Sequence, residues 1–359
     1  MLVKHLTINT IAQGRSMSTI VCIGGGSMAS LFTAQLAINN NQLNNTIYML
    51  TGQRPHTESV KQHGLYYQSL NHTPIQHCNV LIANTVHDIT KHHNDIGLIM
   101  LYIKAVGGAV DHAAQQCLQL IQHNNQFNQP PPVVLTMMNG VGHHDTLCNK
   151  LQHVVPASNI LVGSTSSAAI IDSPGRVVQT GHNPVTIIAN DTYNIQPAEY
   201  VCTLLQQSGF NASMQPLSRK DSILWTKLLY NCTINTLGTI LQVKNGELKH
   251  DVHRYLFTQI TNEFIDVCNA ANITLDLNCQ PNETIQQAAL RNIYIILSCV
   301  GNNINSTLAD ILSARPTENE LLLGTVVRTA RQYNVCVPYI DCCYSLINAK
   351  QLHYTTVLH

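Results

Sequence analysis

The chain has 359 residues, 45% of them hydrophobic and only 11% charged, with 19 Lys+Arg balanced by 19 Asp+Glu. That length favours two domains over a single core. The even charge excludes the basic footprint of a nucleic-acid binder and the polybasic patch of a membrane-surface protein. No apolar run reaches the roughly 18 residues of a membrane span. Twelve cysteines are scattered without a C-x-x-C, and no secretory leader is seen, so reduced, mostly buried thiols in an intracellular protein are expected. The 18 histidines include the adjacent pairs His92-His93 and His143-His144, but no H-E-x-x-H, and no metal site is expected from them.

Residues 1–17 carry Lys4, His5 and Arg15 and no acid. They read as a tail, with Met17 as an internal start; a short mitochondrial presequence is the alternative. Ser18 to Ile23 is then a short apolar β-run, followed at once by Gly24-Gly25-Gly26-Ser27-Met28-Ala29 and a helical pattern through Leu31, Phe32, Leu36 and Ala37. Strand, G-x-G-x-x-A and helix in that order is the context a dinucleotide fingerprint requires. Gly24 permits the tight turn, Gly26 lets the backbone approach a pyrophosphate at the helix N-terminus, and Ala29 allows close helix–strand packing. A plain glycine-rich strand-to-helix turn is the bland alternative.

The second strand is Ile47–Leu50, and it runs into Thr51-Gly52-Gln53-Arg54 rather than into an acid. An Asp or Glu there would hold the ribose 2′-hydroxyl of NAD, whereas Arg54 can pair with the 2′-phosphate of NADP. A merely surface-exposed arginine is the competing reading. Leu98–Ile103 is a buried strand ending in Lys104-Ala105, and Val133–Met138 is a strand ending in Asn139-Gly140. Both place polar residues at the carboxyl ends of parallel strands, where open α/β sheets bind ligands. Ile160–Ala169 brings small residues to a similar place, and Gly175–Gly181 reads as a strand of an antiparallel closing portion.

From about Asp221 the pattern becomes helical. In Trp225–Asn235, Lys227, Asn231 and Asn235 recur at i, i+4 and i+8. On a regular α-helix they span an arc of about 80° and rise roughly 12 Å along one face. A lysine and two asparagines within an apolar helix are costly unless something polar faces them, and burial can bring such a lysine into the working range of an acid catalyst. A solvated helix face with Trp225 as a core anchor is the plainer reading. Asn245-Gly246-Glu247-Leu248 opens a loop, Val252–Ala270 is a long amphipathic stretch, and Asn305–Ile311 is a third polar cluster. In Arg315-Pro316-Thr317-Glu318, Thr317 reads as a helix cap and Glu318 as a first-turn acid, which by itself needs no role beyond complementing the macrodipole.

In this order and spacing the segments resemble the ketopantoate reductase (2-dehydropantoate 2-reductase) family. The resemblance rests on G-G-G-S-M-A, I-K-A at 103–105, M-N-G-V-G at 138–142 and W-T-K-L-L-Y-N-C-T-I-N at 225–235. It continues through N-G-E-L at 245–248, S-T-L-A-D at 306–310, R-P-T-E at 315–318 and N-V-C-V-P at 334–338, so that it covers about residues 19–350. It implies an α/β N-terminal Rossmann-type dinucleotide-binding domain over 18–216. An all-α C-terminal domain, 6-phosphogluconate dehydrogenase C-terminal-like, is implied over 217–359, with the active site in the cleft between the two. Lys227 is then the proton donor, and Asn231, Asn235, Asn245 and Ser306 bind substrate, with Asp310 as support. Gly24, Gly25, Gly26, Ser27, Met28, Ala29, Arg54, Lys104, Asn139, Ala169 and Glu318 contact NADP, Glu318 also meeting the substrate hydroxyl. The family often has an arginine directly after the second strand, whereas here Arg54 is displaced by Thr51-Gly52. The implied reaction is NADPH-dependent reduction of ketopantoate to (R)-pantoate on the way to pantothenate and coenzyme A. The alternatives are reduction of another 2-oxo acid and a non-catalytic dinucleotide-binding role. The expected partners are a small 2-oxo acid and, as a homodimer, a second copy, with no nucleic acid or membrane. The expected location is the cytoplasm, with the mitochondrial matrix as the alternative.

Overall fold

A computed structural model describes residues 18–40, 44–70, 74–182, 184–188 and 193–357; the tail expected over 1–17 lies outside the described residues. The chain divides into two compact units. The second consists of Ser218–His359 together with two short segments, Ala105–Gly107 and Asn139–Val141, and the first holds the remainder up to Leu217.

The strands of the first unit, in chain order, are β1 (Thr19–Ile23), β2 (Thr46–Leu50), β3 (Leu65–Gln68), β4 (Gln76–Cys78), β5 (Leu81–Ala83) and β6 (Ile96–Leu101). They are followed by β7 (Val133–Thr136), β8 (Ile160–Thr165), β9 (Ala169–Ser173), β10 (Arg176–Gln179), β11 (Pro184–Ile188) and β12 (Asn211–Gln215). Among the described residues, eight of them form one sheet in the order β12-β11-β8-β7-β6-β1-β2-β5. From β5 to β8 every pairing is parallel. Every residue of β1, β6 and β7 is buried, which is why these strands read as continuous apolar runs rather than alternating ones. The chain leaves β1 for β2 on one side and later returns to β6 on the other, so the order reverses at β1. In open α/β sheets a ligand binds outside the carboxyl ends of the strands at such a reversal. The helix Ser27–Ile38 packs on this sheet with Ala29, Leu31 and Phe32 fully buried, and Phe32 stacks on Phe210 with ring centroids 4.1 Å apart.

The strand expected over 175–181 is present as β10, but not in the main sheet. It pairs antiparallel with β9 and parallel with β3 in a separate four-stranded sheet ordered β4-β3-β10-β9. The turn at Pro174-Gly175, with Gly175 at φ +82°, folds β10 back on β9. The antiparallel partner within the main sheet is instead β11, on β8. The strand expected over 98–103 begins earlier and ends at Leu101, and the one expected over 133–138 ends at Thr136.

The second unit is helical around its own core. Trp225, Leu228, Leu229, Phe257, Phe264 and Ile340 are among its buried residues, and Trp225 meets Phe264 edge-on with centroids 5.9 Å apart. The amphipathic stretch expected from Val252 is a helix over Arg254–Ala270. Its buried Glu263 accepts the backbone N–H groups of Tyr339 and Ile340 at 3.0 and 2.8 Å, capping the last helix, Pro338–Val357. All twelve cysteines are free thiols; Cys22, Cys78, Cys117, Cys202, Cys232 and Cys268 are buried, but Cys279, Cys299, Cys336 and Cys342 are exposed, more than composition led us to expect.

Candidate active site

The turn after β1 has the stereochemistry its glycines imply. Gly24 sits at φ +137°, donates its N–H to Leu50 O at 3.0 Å, and a Cβ there would lie 2.6 Å from Tyr102 O. A Cβ on Gly25 would meet Thr51 Oγ1 at 2.4 Å. Gly26 differs from both, since a Cβ there would meet no atom within 4 Å. It is the N-cap of the Ser27–Ile38 helix, in extended conformation, with no side-chain cap and no acid in the first turn. The first N–H groups of that helix therefore face open space at its positive end, an arrangement that accepts a phosphate. Ser27 and Met28 are half-buried and Ala29 is fully buried at the helix–sheet contact. The residues present thus fit a dinucleotide pyrophosphate.

Past β2, Thr51 is buried while Gly52, Gln53 and Arg54 are exposed. Arg54 is the N-cap of the helix Pro55–His63, its own N–H donating to Thr57 Oγ1 at 3.0 Å, so its backbone is fixed while its side chain reaches solvent. Lys104 is exposed three residues beyond the end of β6, and Ala169 is half-buried at the first position of β9.

Lys227 lies near the end of the helix Lys220–Tyr230. The α-helix expected to run on without interruption breaks there. Asn231–Asn235 forms a π-helical turn, and α-helix resumes over Thr236–Leu241. The buried Thr233 hydroxyl donates to Leu229 O at 2.9 Å within this stretch, supplying a bond to a backbone carbonyl there. The geometric consequence is specific. Four residues of α-helix overshoot a full turn by about 40°, which separates Asn231 from Lys227. Four residues of the wider i→i+5 turn fall short of one, which brings Asn235 back toward the bearing of Lys227. Burial draws the Lys227 ammonium down from its ordinary 10.5 to about 8, and the Glu318 carboxylate acts in the opposite direction.

Glu318 is buried, and its Oε2 accepts the side-chain amide of Asn139 at 3.0 Å. It does not occupy the first turn of a helix. Residues 318–322 are successive turns, and the helix begins only at Leu323. Thr317 donates its N–H and its hydroxyl to Gln351, while its Oγ1 accepts the Asn319 N–H at 3.3 Å, so it caps this run of turns rather than a helix. The Asn139-Gly140 turn lies close to this segment, a Cβ on Gly140 meeting Leu321 O at 3.1 Å. Lys227, Glu318 and Asn139 are thereby joined in one electrostatic and hydrogen-bonded group.

Asn245 is buried with its Oδ1 lacking any hydrogen-bond partner. Ser306, by contrast, is exposed at the first position of the helix Ser306–Leu312. The buried residue there is Asn305, which sequence reasoning passed over as a site residue. Its Oδ1 caps Leu308 N at 2.9 Å and accepts Thr239 Oγ1 at 3.1 Å, leaving its Nδ2 buried and unpartnered. An Asn directly before an apolar helical pattern was the available signal for that cap. Two orphaned amide atoms, one acceptor and one donor, each cost about 1–3 kcal/mol if left unmet, and the Asn305 Nδ2 lies against the helix Thr236–Leu241, where a Cβ on Gly238 would meet it at 2.6 Å. Asp310 is buried and pairs with Arg315 at 3.3 Å.

Known proteins bear on this arrangement directly. Residues 20–191 match the family model described as ketopantoate reductase PanE/ApbA, and residues 221–351 match the model of ketopantoate reductase PanE/ApbA C terminal. The chain belongs to the ketopantoate reductase family. Among its relatives is a 2-dehydropantoate 2-reductase of Lactococcus lactis subsp. lactis (strain IL1403), 27% identical over 338 residues, which span 92% of this chain and 97% of the relative. A 2-dehydropantoate 2-reductase of Streptococcus pyogenes serotype M1 is 24% identical over 332 residues, 91% of this chain and 96% of its own. Two solved structures share the fold. One is D-mandelate dehydrogenase with NADH and anilino(oxo)acetate, with TM-score 0.75 and 24% identity over 94% of this chain and all of the other. The second is a PanE/ApbA family ketopantoate reductase from Ralstonia eutropha JMP134, with TM-score 0.72 and 16% identity over 94% and 99% of the two chains. As a member of this family the protein is an oxidoreductase whose first unit is Rossmann-like and whose second is helical. Among its described residues no helix is long and apolar enough to cross a membrane.

Proposed function

We propose that the chain reduces ketopantoate to (R)-pantoate with NADPH, a step toward pantothenate and coenzyme A. The observation that carries this reading is the lysine at about 8 acting with a buried, hydrogen-bonded glutamate. A lysine of ordinary proton affinity gives up its proton reluctantly near neutrality, whereas one near 8 is both largely protonated and ready to donate.

The Gly24–Ala29 turn would hold the pyrophosphate, and Arg54 the 2′-phosphate, with Lys104, Asn139, Ala169 and Glu318 as further contacts. The bound nicotinamide dinucleotide supplies the hydride. As the carbonyl carbon is reduced, negative charge gathers on its oxygen. Lys227 stabilises that charge through its ammonium and then gives the oxygen its proton. Asn231, Asn235 and Asn245 hold the carboxylate and hydroxyl through neutral hydrogen bonds, with Ser306 and the buried amide of Asn305 at the same end. Glu318, kept in place by Asn139, accepts the substrate hydroxyl and maintains the charge on Lys227.

A second reading, reduction of a different 2-oxo acid, is favoured by the likeness to D-mandelate dehydrogenase. The two are separated by measuring kcat/KM with ketopantoate, with 2-oxoisovalerate, which lacks the hydroxymethyl group, and with the 2-oxo acid of mandelate. A site whose buried polar groups expect a hydroxyl rejects the analogue without one, by a factor of about 10⁴ in favourable cases. Comparable values for ketopantoate and 2-oxoisovalerate would replace the ketopantoate assignment by the broader one.

A further inference from the structure

Glu318 stands on a short run of turns, a poor platform for a group that must be held still beside Lys227. Its neighbours on both sides are tied to one distant helix. Gln351 Oε1 accepts both the backbone N–H of Thr317, at 2.7 Å, and the Thr317 hydroxyl, at 2.6 Å. On the other side, the Asn319 side-chain amide donates to Tyr344 O at 3.0 Å and to Asn348 Oδ1 at 2.7 Å. Residues 344, 348 and 351 are spaced i, i+4, i+7, which puts them on one face of the helix Pro338–Val357. Thr317, Glu318 and Asn319 are all buried, so these bonds are made away from water, where losing one leaves a donor unmet.

The adjacent flank of the same helix holds the other partner. Lys350 Nζ donates to Thr239 O at 2.9 Å and Ile240 O at 3.1 Å, covering the last carbonyls of the helix beyond the π turn. Next to it, Gln242 Nε2 donates to Tyr354 OH at 2.8 Å. One helix that contributes no group to the proposed chemistry thus grips both the segment bearing Glu318 and the end of the helix Thr236–Leu241, which the π turn joins to the helix of Lys227.

We propose that Gln351 is a positioning residue for Glu318, and that the last helix is the common brace of the lysine and the glutamate. The proposal rests on the function proposed above, in which these two groups work together. Glu318 is the charge that acts on Lys227. Other charged groups of the unit are engaged with partners of their own: Glu320 with Arg328 and Tyr344, Asp310 with Arg315, and Asp276 with Arg219. Displacement of Glu318 is therefore what the lysine will register.

The test reads the lysine directly in the full-length, cofactor-free protein. The rate of Lys227 acylation by acetic anhydride is followed against pH by mass spectrometry, and its midpoint gives the proton affinity. An opposite charge nearby is worth about 1–3 pH units, so a loosened Glu318 should lower the midpoint in Gln351→Ala by about 0.5 or more. Thr317→Val, which removes one of the two donors to Gln351, should lower it in the same sense, and Thr317→Ser, which keeps both, should restore the wild-type midpoint. A folded Gln351→Ala with an unchanged midpoint would overturn the proposal, whatever happens to its melting temperature. Should that variant not fold, an unchanged midpoint in Thr317→Val overturns the proposal equally. Because acylation involves no substrate, a wild type that reduces no 2-oxo acid would refute the function proposed above while leaving this brace standing or falling on its own measurement.

Discussion

Under the proposed mechanism, the pH dependence of turnover is set by the surroundings of Lys227. With its affinity drawn down to about 8, against 10.5 for a free lysine, the ammonium is about 90% present at pH 7, half present at pH 8 and about 10% present at pH 9. If Lys227 donates the proton, kcat/KM for ketopantoate is flat below pH 7 and falls about tenfold per pH unit above the breakpoint. An ordinary lysine would hold the plateau to about pH 10. The perturbation is Glu318→Gln, which keeps the size of the side chain and removes the charge that holds the lysine's affinity up. The breakpoint should then move acidward by about 1, separately from any fall in the plateau caused by weaker substrate contact. The assay is the initial rate of NADPH oxidation from pH 6 to 10 at saturating cofactor. A wild-type plateau reaching pH 10, or a breakpoint unmoved in Glu318→Gln, would refute the assignment of the limb to Lys227.

The same shift has a consequence for stability. The folded affinity of Lys227 lies below the unfolded one, so the cost of burying its charge is present in full below about pH 8 and is relieved as pH rises toward 10.5. Lys227→Met should therefore be more stable than the wild type at pH 7, by about 1 kcal/mol, with a smaller gain at pH 10, while turnover falls by about 10²–10⁴-fold; thermal melts at the two pH values check this. Gly26→Val should fold and lose NADPH binding, since the new side chain occupies only the open space over the helix N-terminus. Gly24→Ala should instead destabilise the fold, because φ +137° and Tyr102 O oppose a Cβ; calorimetry and melting distinguish the two. Arg54→Ala should shrink the preference for NADPH over NADH, and an unchanged ratio would remove Arg54 from cofactor selection.

Features written in adjacent residues were legible from sequence. The strand–turn–helix at Gly24–Ala29 needs nothing beyond its own glycines and the apolar runs on either side, and the lysine and asparagines of the 225–235 segment announce themselves by spacing. What escaped depends on residues far apart. The pairing of β10 with β3 joins positions more than a hundred residues distant, such as Arg176 with Tyr66, and both strands are short. Glu318 reads as a helix-start acid, yet Thr317 caps only the turn at Asn319 and gives its hydroxyl proton to Gln351, thirty-four residues beyond, and the helix starts only at Leu323. Ser306 entered as a ligand through the family resemblance, yet the chain buries Asn305 and leaves Ser306 exposed. The π turn has no periodic signature, since its residues fit an α-helical pattern equally well.

That turn makes the length of the 231–235 segment a property separate from its composition. Deleting any one of its residues would let the helix heal into regular α form, with little loss of hydrogen bonding. Five residues of the wider turn and four of regular helix cover nearly the same rotation, about 400°, so the chain beyond the deletion would keep its bearing relative to Lys227. Substitutions within the segment change one side chain at a time, whereas a single-residue gap removes the bulge itself. Such a deletion should yield a well-folded protein altered only in how the side chains of this one turn are presented.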